Sequence, residues 1–388
     1  MRYFTADRIH NGRLFESEPK VLEFADDGTF IAAHPAALIP PEKVQYIPGT
    51  LTPGMVNAHC HLELSHMKGL IPEGGGLVSF LGDVVGFRNS RDAQRQELIV
   101  ANMQQLAASG CIAVGDIANG TDTLSFRPQL PMHIHTFVEA MGFVPAGAES
   151  RMRYAEQVWQ QFEAHSEHNL GFKLQQSIVP HAPYSVAPDL FARINAHQPG
   201  SVLSIHNQEC AAENEYFQSK TGAMEQLYSR LGIRADWFMP QRQNSLPAYL
   251  PLIDNDHHLI LVHNTFTQAS DIELLLQQHP NASFCLCPNA NLYIERCLPP
   301  VPTLVQSGIN ICLGTDSLAS NHQLSVYAEV QVLLHHFDEL SEEQVLSWAC
   351  MGGAKALQLD ALIGSFEHGK RPGLVQLYEG KSRAIPLG

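Results

Sequence analysis

The residues best suited to chemistry are two histidines, His59 and His61, that are separated by a single residue. Alternate side chains of a β-strand point to the same face, so these two imidazoles can share one metal ion. The pair alone is a weak signal, because two histidines at this spacing also occur in cores and on surfaces. Three later residues strengthen it, since His206, His263 and Asp316 each end a short run rich in apolar residues. Polar ligand types at the ends of several buried strands are typical of a barrel active site.

Parallel barrel strands run toward one face, so the residues that end them converge even when they are far apart in sequence. His59, His61 and His206 would supply three imidazoles there, and Asp316 a carboxylate. This set suits zinc, with Fe²⁺ as the alternative, because imidazole and carboxylate ligands do not select sharply among divalent ions. Such an ion lowers the pKa of a bound water toward about 7, so hydrolysis is the predicted chemistry. Taken singly, Asp316 could instead be a turn or helix-cap residue.

The elements that must position these residues alternate between strand and helix patterns, which indicates parallel βα units and an α/β fold. Residues 270–273 and 341–344 both read as capping boxes that open helices. Eight strands are predicted, which is the number that a (β/α)₈ barrel requires. The predicted strands are 55–64, 110–117, 132–141, 172–181, 201–208, 257–263, 281–287 and 308–315.

The two ends of the chain differ from its middle, because both consist of short β runs separated by turns. We predict that residues 1–50 and 359–388 form one small β domain and that residues 51–358 form the barrel. The segment 73–76 contains three glycines and gives the loop after the first strand unusual freedom. That loop is either a lid or a plain flexible connection.

Composition limits the classes of partner. The chain has 388 residues, 45% of them hydrophobic, and a formal charge of −15 with no basic run. A nucleic-acid backbone or an anionic membrane is therefore excluded as a partner, and a small neutral or cationic substrate is favoured. No segment approaches the roughly 18–20 apolar residues that span a bilayer, so we expect a cytoplasmic protein. The eight scattered cysteines indicate reduced core thiols.

Several motifs together resemble the amidohydrolase superfamily, in particular its branch of deaminases acting on S-adenosylhomocysteine, methylthioadenosine, aminodeoxyfutalosine and guanine, with the chlorotriazine hydrolases. The resemblance spans the whole chain. It implies a distorted TIM barrel with a small β-sandwich domain built from both chain ends. The segments that carry it are 53–61, 180–185, 206–209, 287–291 and 314–321.

The resemblance also implies roles for individual residues. Relatives of this branch use one divalent metal ion, which agrees with the absence of a lysine at the end of the fourth predicted strand. Glu209 would protonate a ring nitrogen and shuttle protons, and Asp316 would accept the proton of the attacking water. His263 would polarise or orient that water, and His181 would contact the substrate. Displacing ammonia from an aromatic carbon needs such a nucleophile and such an acid.

The leading hypothesis is a hydrolytic deaminase that acts on a 6-aminopurine nucleoside or an aminodeoxyfutalosine-like adenine derivative. The alternatives are hydrolysis of another C–N or C–Cl bond, as in guanine deaminases, amide hydrolases and chlorohydrolases, and a metal-bound barrel without catalysis. Arg88, Arg151 and Arg153 are either substrate contacts or surface charges. The sequence leaves a homodimer open.

Overall fold

The computed structural model of this chain describes residues 1–166 and 171–387, through most of which strands and helices alternate. The strands are β1 (Arg2–Ile9), β2 (Lys20–Phe24), β3 (Phe30–Pro35), β4 (Val44–Thr52), β5 (Met55–His61), β6 (Cys111–Ala118), β7 (His133–Ala140), β8 (Leu174–Pro180), β9 (Val202–Asn207), β10 (His258–His263), β11 (Ser283–Leu286), β12 (Asn310–Leu313), β13 (Asp316–Ser317), β14 (Val375–Tyr378) and β15 (Lys381–Ala384). The helices are α1 (Leu77–Phe87), α2 (Arg95–Ala108), α3 (Ala148–Glu163), α4 (Pro188–His197), α5 (Ala211–Ser219), α6 (Ala223–Leu231), α7 (Ser245–Tyr249), α8 (Ala269–Gln278), α9 (Pro288–Glu295), α10 (Val301–Gln306), α11 (Val326–His336), α12 (Glu342–Ser347) and α13 (Gly353–Ala356).

The strands of the middle of the chain form two parallel sheets. Their orders are β13-β5-β6-β7-β8 and β12-β11-β10-β9. Every residue of β5, β6, β7 and β9 is buried, as expected of parallel strands that are covered on both faces. The eight strands predicted from the sequence are all present, and their ends differ from the predicted ones by three residues or fewer. The prediction of parallel βα units is therefore confirmed.

Backbone hydrogen bonds join the edges of the two parallel sheets near the carboxyl ends of the strands. On one side, the N–H of His206 on β9 donates to the carbonyl of His181, just after β8, at 3.0 Å. On the other side, the N–H of Thr315 donates to the carbonyl of His59 on β5, also at 3.0 Å. These bonds bring residues from both sheets to one edge.

Both ends of the chain contribute to a third, mixed sheet with the order β15-β14-β4-β1-β2-β3. β1 and β4 are parallel, and the other neighbouring pairs are antiparallel. Its core contains Phe4, Phe24, Phe30 and Phe366, whose rings make edge-to-face and stacked contacts. Such aromatic pairs add stability beyond their buried area. The amino-terminal and carboxyl-terminal segments are therefore held in one sheet.

Two helix starts test the capping boxes predicted from the sequence. The box predicted at 270–273 is wrong, because the N-cap of α8 is Gln268 and Asp271 completes the capping box. The side chain of Gln268 accepts the backbone N–H of Asp271, so the helix starts two residues earlier than a cap at Ser270 would place it. α12 begins after Ser341 as predicted, and the structure shows one bond of the predicted box: the hydroxyl of Ser341 accepts a hydrogen bond from the N–H of Gln344 at 3.1 Å.

The cysteines agree with the prediction of reduced core thiols. All eight are free, and all except Cys297 are buried. Burial raises the pKa of Cys111 to about 12, so this thiol stays protonated and unreactive at neutral pH. Within residues 1–166 and 171–387, no helix is both long and apolar enough to cross a membrane.

Gly115, on β6, lies where the sheet leaves no room for a side chain. A Cβ atom there would lie 2.4 Å from the carbonyl oxygen of Ala58 and 2.8 Å from the ring of Phe137. We expect Gly115→Ala to lower the free energy of unfolding by about 1–3 kcal/mol, the usual cost of overpacking. Gly120→Ala is the matched control, because a Cβ there meets no atom within 4 Å. Chemical denaturation measures both, and equal midpoints for the two variants would contradict this packing.

Candidate metal centre and active site

Five candidate residues meet at the edge where the parallel strands end. His59 and His61 lie on β5, His206 lies on β9, His263 is the last residue of β10, and Asp316 begins β13. All five residues are buried, with exposures of 7% or less. Because these strands are parallel, their carboxyl ends lie together. The convergence predicted from the sequence is what the structure shows.

The distances within this cluster are short enough for a shared ion. Nε2 of His59 lies 3.5 Å from Oδ1 of Asp316, and Nε2 of His61 lies 3.4 Å from the same oxygen. One ligand atom from each of His59, His206, His263 and Asp316 lies within 4.8 Å of the others. The structure therefore has a His/His/His/Asp cluster that can hold a metal ion. This set contains His263, predicted to orient the water, in place of the predicted ligand His61, which groups instead with Glu139 and His206.

The chemistry of the cluster fits a divalent metal. Both ring nitrogens of His59 and of His263 are buried and have no hydrogen-bond partner among the described residues, which is costly for polar atoms unless something else satisfies them. Nδ1 of His206 lies 2.7 Å from the carbonyl oxygen of His181, to which it must donate, so Nε2 is left with a free lone pair. Burial lowers the pKa of His206 to about 4, which keeps the imidazole neutral, as a ligand must be.

Asp316 is held as a carboxylate. Although burial raises the pKa of Asp316, the rings of His59 and His61, which lie 3.5 and 3.4 Å from its Oδ1, outweigh it and hold that pKa well below its ordinary value. The second carboxylate oxygen accepts a hydrogen bond from the hydroxyl of Ser320. One oxygen is therefore fixed by Ser320, and the other faces the histidines.

Glu209 lies beside the cluster, on the turn that follows β9. Its Oε1 is 3.6 Å from Nε2 of His263, and only 4% of the residue is exposed. Burial raises the pKa of Glu209 well above its ordinary value, and the carboxylates of Asp316 and Glu213 raise it further. A raised pKa favours the protonated form, so a carboxyl group in this environment is suited to act as an acid.

His181 lies at the rim of the cluster, just beyond the end of β8. Its ring centroid is 4.8 Å from that of His206, and its Nδ1 is 2.7 Å from the hydroxyl oxygen of Ser185. Burial lowers the pKa of His181 to about 4, so the ring is neutral. The contact with Ser185 occupies Nδ1 and leaves Nε2 for another partner. The carbonyl group of His181 also orients His206, which the sequence did not indicate.

Sequence reasoning missed Glu139, a buried residue of β7. Its Oε1 lies 3.6 Å from Nδ1 of His206, and its Oε2 accepts a hydrogen bond from Asn119 at 2.7 Å. Its carboxylate also groups with ring nitrogens of His61 and His206 in a second set that could hold a metal. The sequence did contain a signal for Glu139, because an acidic residue near the end of the apolar run 132–141 is unusual. Charged residues are rarely buried in core strands.

The three arginines considered in the sequence analysis differ in their contacts with the site and in their exposure to solvent. Nη2 of Arg88 forms an ion pair with Oε1 of buried Glu63 at 3.1 Å. The N–H of Asn119 donates to the other oxygen of Glu63, which links Arg88 to the surroundings of Glu139. Arg151 and Arg153 are exposed on α3, where Arg153 pairs with its helix neighbour Glu149. Only Arg88 is therefore connected to the site by the contacts described.

The glycine-rich loop is fastened to α9. The N–H of Gly74 donates to the carbonyl of Tyr293 at 2.6 Å, and the N–H of Gly76 donates to that of Ile294 at 3.0 Å. The N–H of Leu77, which starts α1, donates to Oε1 of Glu295 at 2.6 Å. Gly74 and Gly76 have φ angles of +72° and +75°, which glycine adopts without strain. These hydrogen bonds hold the loop against α9 in this structure.

Left-handed backbone conformations cluster at the strand ends of the site. His263 has φ +71°, Asn264 φ +59°, Asp316 φ +55° and Gln208 φ +46°. None of these is glycine, so each conformation is held at some cost by its surroundings. Such residues concentrate at functional sites, where a side chain must point in a direction that a regular strand does not allow.

Comparison with known proteins agrees with this geometry. The chain is 26% identical over 366 residues to a Helicobacter pylori protein named adenosine deaminase, covering 92% of this chain and 85% of that protein. It is 26% identical over 400 residues to a 5-methylthioadenosine/S-adenosylhomocysteine deaminase of Saccharophagus degradans, covering 97% and 82%. Its fold resembles the crystal structure of Helicobacter pylori aminofutalosine deaminase in complex with methylthio-coformycin, with a TM-score of 0.83, 22% identity and coverage of 100% and 94%.

A model of the amidohydrolase family matches residues 50–384, which include β5 to β15 and every residue of the cluster described above. The resemblance drawn from the sequence motifs is thus confirmed. With its parallel sheets and its His/His/His/Asp cluster at the strand ends, this chain belongs to the amidohydrolase family.

Proposed function

We propose that the protein is a metal-dependent hydrolytic deaminase that releases ammonia from an adenine derivative, either a 6-aminopurine nucleoside or an aminodeoxyfutalosine-like compound. The observation that carries the proposal is the position of Glu209, a buried carboxyl group 3.6 Å from His263 and beside the metal cluster. An aromatic ring accepts a nucleophile readily only when its adjacent nitrogen is protonated, and a buried carboxyl group in this position can supply that proton.

The proposed cofactor is one divalent ion, zinc or alternatively Fe²⁺, bound by His59, His61, His206 and Asp316. When bound, such an ion lowers the pKa of water and so supplies a nucleophile at neutral pH. Neutral imidazoles and one carboxylate are suitable ligands for either metal.

Glu209 is the proposed acid. Its raised pKa keeps a proton on the carboxyl group until a ring nitrogen of the substrate can accept it. Proton transfer to this nitrogen draws electrons from the neighbouring carbon, to which water adds. Asp316 accepts one proton of that water, and Glu209, now a carboxylate, takes the other from the added hydroxyl group and passes it to the amino group. The C–N bond breaks, ammonia leaves, the product keeps the oxygen of water as a carbonyl group, and the proton on Asp316 restores Glu209 for the next turnover.

Asp316 and His263 would act on the attacking water, and His181 on the substrate. The carboxylate of Asp316 is ionised and can accept a proton from that water. The neutral ring of His263, which lies next to Glu209, would orient the attacking water. His181 has Nδ1 engaged by Ser185, which leaves Nε2 free to contact the substrate.

The adenine preference is supported by the relatives, whose names include adenosine and 5-methylthioadenosine/S-adenosylhomocysteine deaminases. The charge of −15 also favours a small neutral or cationic guest over a polyanion. We further propose that the protein works in the cytoplasm on this small molecule, with neither nucleic acid nor a membrane as a partner.

For the architecture, we propose that the two parallel sheets together form a distorted TIM barrel over residues 51–358. The hydrogen bonds from His206 to His181 and from Thr315 to His59, which link their edges, support this arrangement. Residues 1–50 and 359–388 would form a small β-sandwich domain around the six-stranded sheet.

The test is an ammonia-release screen with metal-replete protein over adenosine, methylthioadenosine, S-adenosylhomocysteine, aminodeoxyfutalosine, guanine and cytosine. We expect an adenine derivative to have the highest kcat/KM, the quantity that measures specificity. If guanine or cytosine exceeded every adenine derivative by about tenfold, or roughly 1.4 kcal/mol, the adenine assignment would be wrong although deamination would stand. If no compound released ammonia, the function itself would be wrong.

A further inference from the structure

The turn between β9 and α5 determines where Glu209 points. β9 ends at Asn207, Gln208 then adopts a left-handed conformation with φ +46°, and α5 begins at Ala211. Without the left-handed residue, the chain would not turn so sharply after the strand. The conformation is unfavourable for glutamine, so something must hold it.

The carboxylate of Glu213, in the first turn of α5, binds the backbone of this turn. Its Oε1 accepts the N–H of Gln208 at 3.0 Å, and its Oε2 accepts the N–H of Glu209 at 3.2 Å. Consecutive N–H groups around a left-handed residue form a concave site for an anion. The hydroxyl of Ser245 donates a third hydrogen bond, to Oε1. One side chain therefore fixes both peptide groups that precede the Glu209 side chain.

The opposite side of the turn is held by the side chain of Gln208. Its Nε2 donates to Oδ2 of Asp271 at 2.8 Å and lies 3.3 Å from Oδ1 of Asn214. Asn214 in turn accepts the N–H of Ser245 at 3.0 Å. The turn is thus clamped from two sides by buried polar groups, and such networks define a single conformation when they are satisfied.

Glu213 does not contact the cluster itself. It is fully buried, at 0% exposure, whereas Glu209 keeps 4% and faces His263. Burial raises the pKa of Glu213 to about 7, and the hydrogen bonds from Ser245, Gln208 and Glu209 oppose that rise. All three partners donate hydrogen bonds to Glu213, so its carboxyl group satisfies them best as an unprotonated carboxylate.

We infer that Glu213 is a positioning residue for Glu209: its carboxylate holds the turn so that the carboxyl group of Glu209 faces the substrate ring and His263. The inference rests on the proposed function, in which Glu209 is the acid. Glu213, which lies four residues after Glu209 in the chain, would then contribute to turnover without contacting the substrate.

Glu213→Gln tests this inference, because the amide keeps the size of the side chain but turns an NH₂ donor toward a backbone N–H or the Ser245 hydroxyl. We expect kcat to fall by about tenfold or more, with KM and metal content nearly unchanged, since loss of a hydrogen bond to a charged group has effects of this size. Glu215→Gln is the control, because Glu215 lies exposed on the same helix and the change should leave kcat unaltered.

A double-mutant cycle separates positioning from a merely structural role. If Glu213 acts through Glu209, then Glu213→Gln should reduce the single-turnover rate less than twofold when Glu209 is already glutamine. An equal fractional loss in both backgrounds would overturn the inference, as would an unchanged kcat in the single variant. The proposed function fails separately, if the unaltered protein releases no ammonia.

Ser245→Ala provides a second route if Glu213→Gln does not fold. It removes one donor to Glu213 and leaves the carboxylate in place. We expect a smaller loss of kcat that again disappears in the Glu209→Gln background. A loss that persists in that background would contradict the inference.

Discussion

Glu209→Gln is expected to keep its metal and to lose turnover by about 10²–10⁴-fold, the usual contribution of general acid–base catalysis. Glutamine has nearly the size and shape of glutamic acid, but an amide cannot give a proton to a ring nitrogen and recover it. The residue is buried beside His263, and its raised pKa provides the proton that the reaction needs. Steady-state kcat on the best adenine derivative, with metal content by elemental analysis, measures the effect.

Two results would remove Glu209 from the mechanism. Turnover within about tenfold of the parent is too small a loss for a proton shuttle. Loss of the metal together with turnover would indicate that Glu209 supports the cluster and does not act as the acid. Glu215→Gln, on the exposed face of the following helix, controls for the change in charge.

His59→Ala combined with His61→Ala is expected to abolish both metal binding and turnover. Changes to groups that only orient a ligand already cost about 10–100-fold in metal affinity, so the loss of two ligands should exceed about 10²-fold. In the parent protein we expect one equivalent of metal per chain. Elemental analysis after dialysis, followed by the ammonia assay, gives both quantities.

A matched control is available in His335 and His336, a pair of exposed histidines on α11. Their replacement by alanine should leave metal content and turnover unchanged. Retention of metal and activity after the β5 substitutions would contradict the assignment of the cluster. Two equivalents of metal in the active parent protein would contradict a site for a single ion.

The strands and the ligand cluster could be predicted because their signals are local. Each strand is an apolar run, and parallel strands buried on both faces read as continuous apolar segments. The candidate ligands were identified because a histidine or aspartate at the end of such a run is unusual. The convergence of His59, His206 and Asp316 could therefore be predicted from one assumption, that parallel strands end at the same edge of a sheet.

Other features depend on contacts between distant residues and carry no local signal. The carbonyl group of His181 that orients His206 is a backbone group, which any residue would provide. The pairing of β14 with β4 joins residues more than three hundred positions apart. The capping box of α8 was misplaced because Gln268 took the role that the sequence pattern gave to Ser270.

The role of Glu213 was also beyond a sequence argument. As an acidic residue in the first turn of a helix, it matches a solvated residue that complements the helix dipole. Its importance emerges only once Gln208 is seen in a left-handed conformation that directs two N–H groups toward it. Backbone strain of this kind marks functional sites, but it is visible only in a structure.

The central claim, hydrolytic removal of an amino group from an adenine ring, is tested most directly by following the reaction in water labelled with heavy oxygen. Metal-replete protein and adenosine, methylthioadenosine or aminodeoxyfutalosine should give one ammonia per product, and mass spectrometry should find one labelled oxygen on the ring carbon that carried the amino group. Ammonia release without labelled oxygen in the product, or no release from any adenine derivative, would contradict the claim.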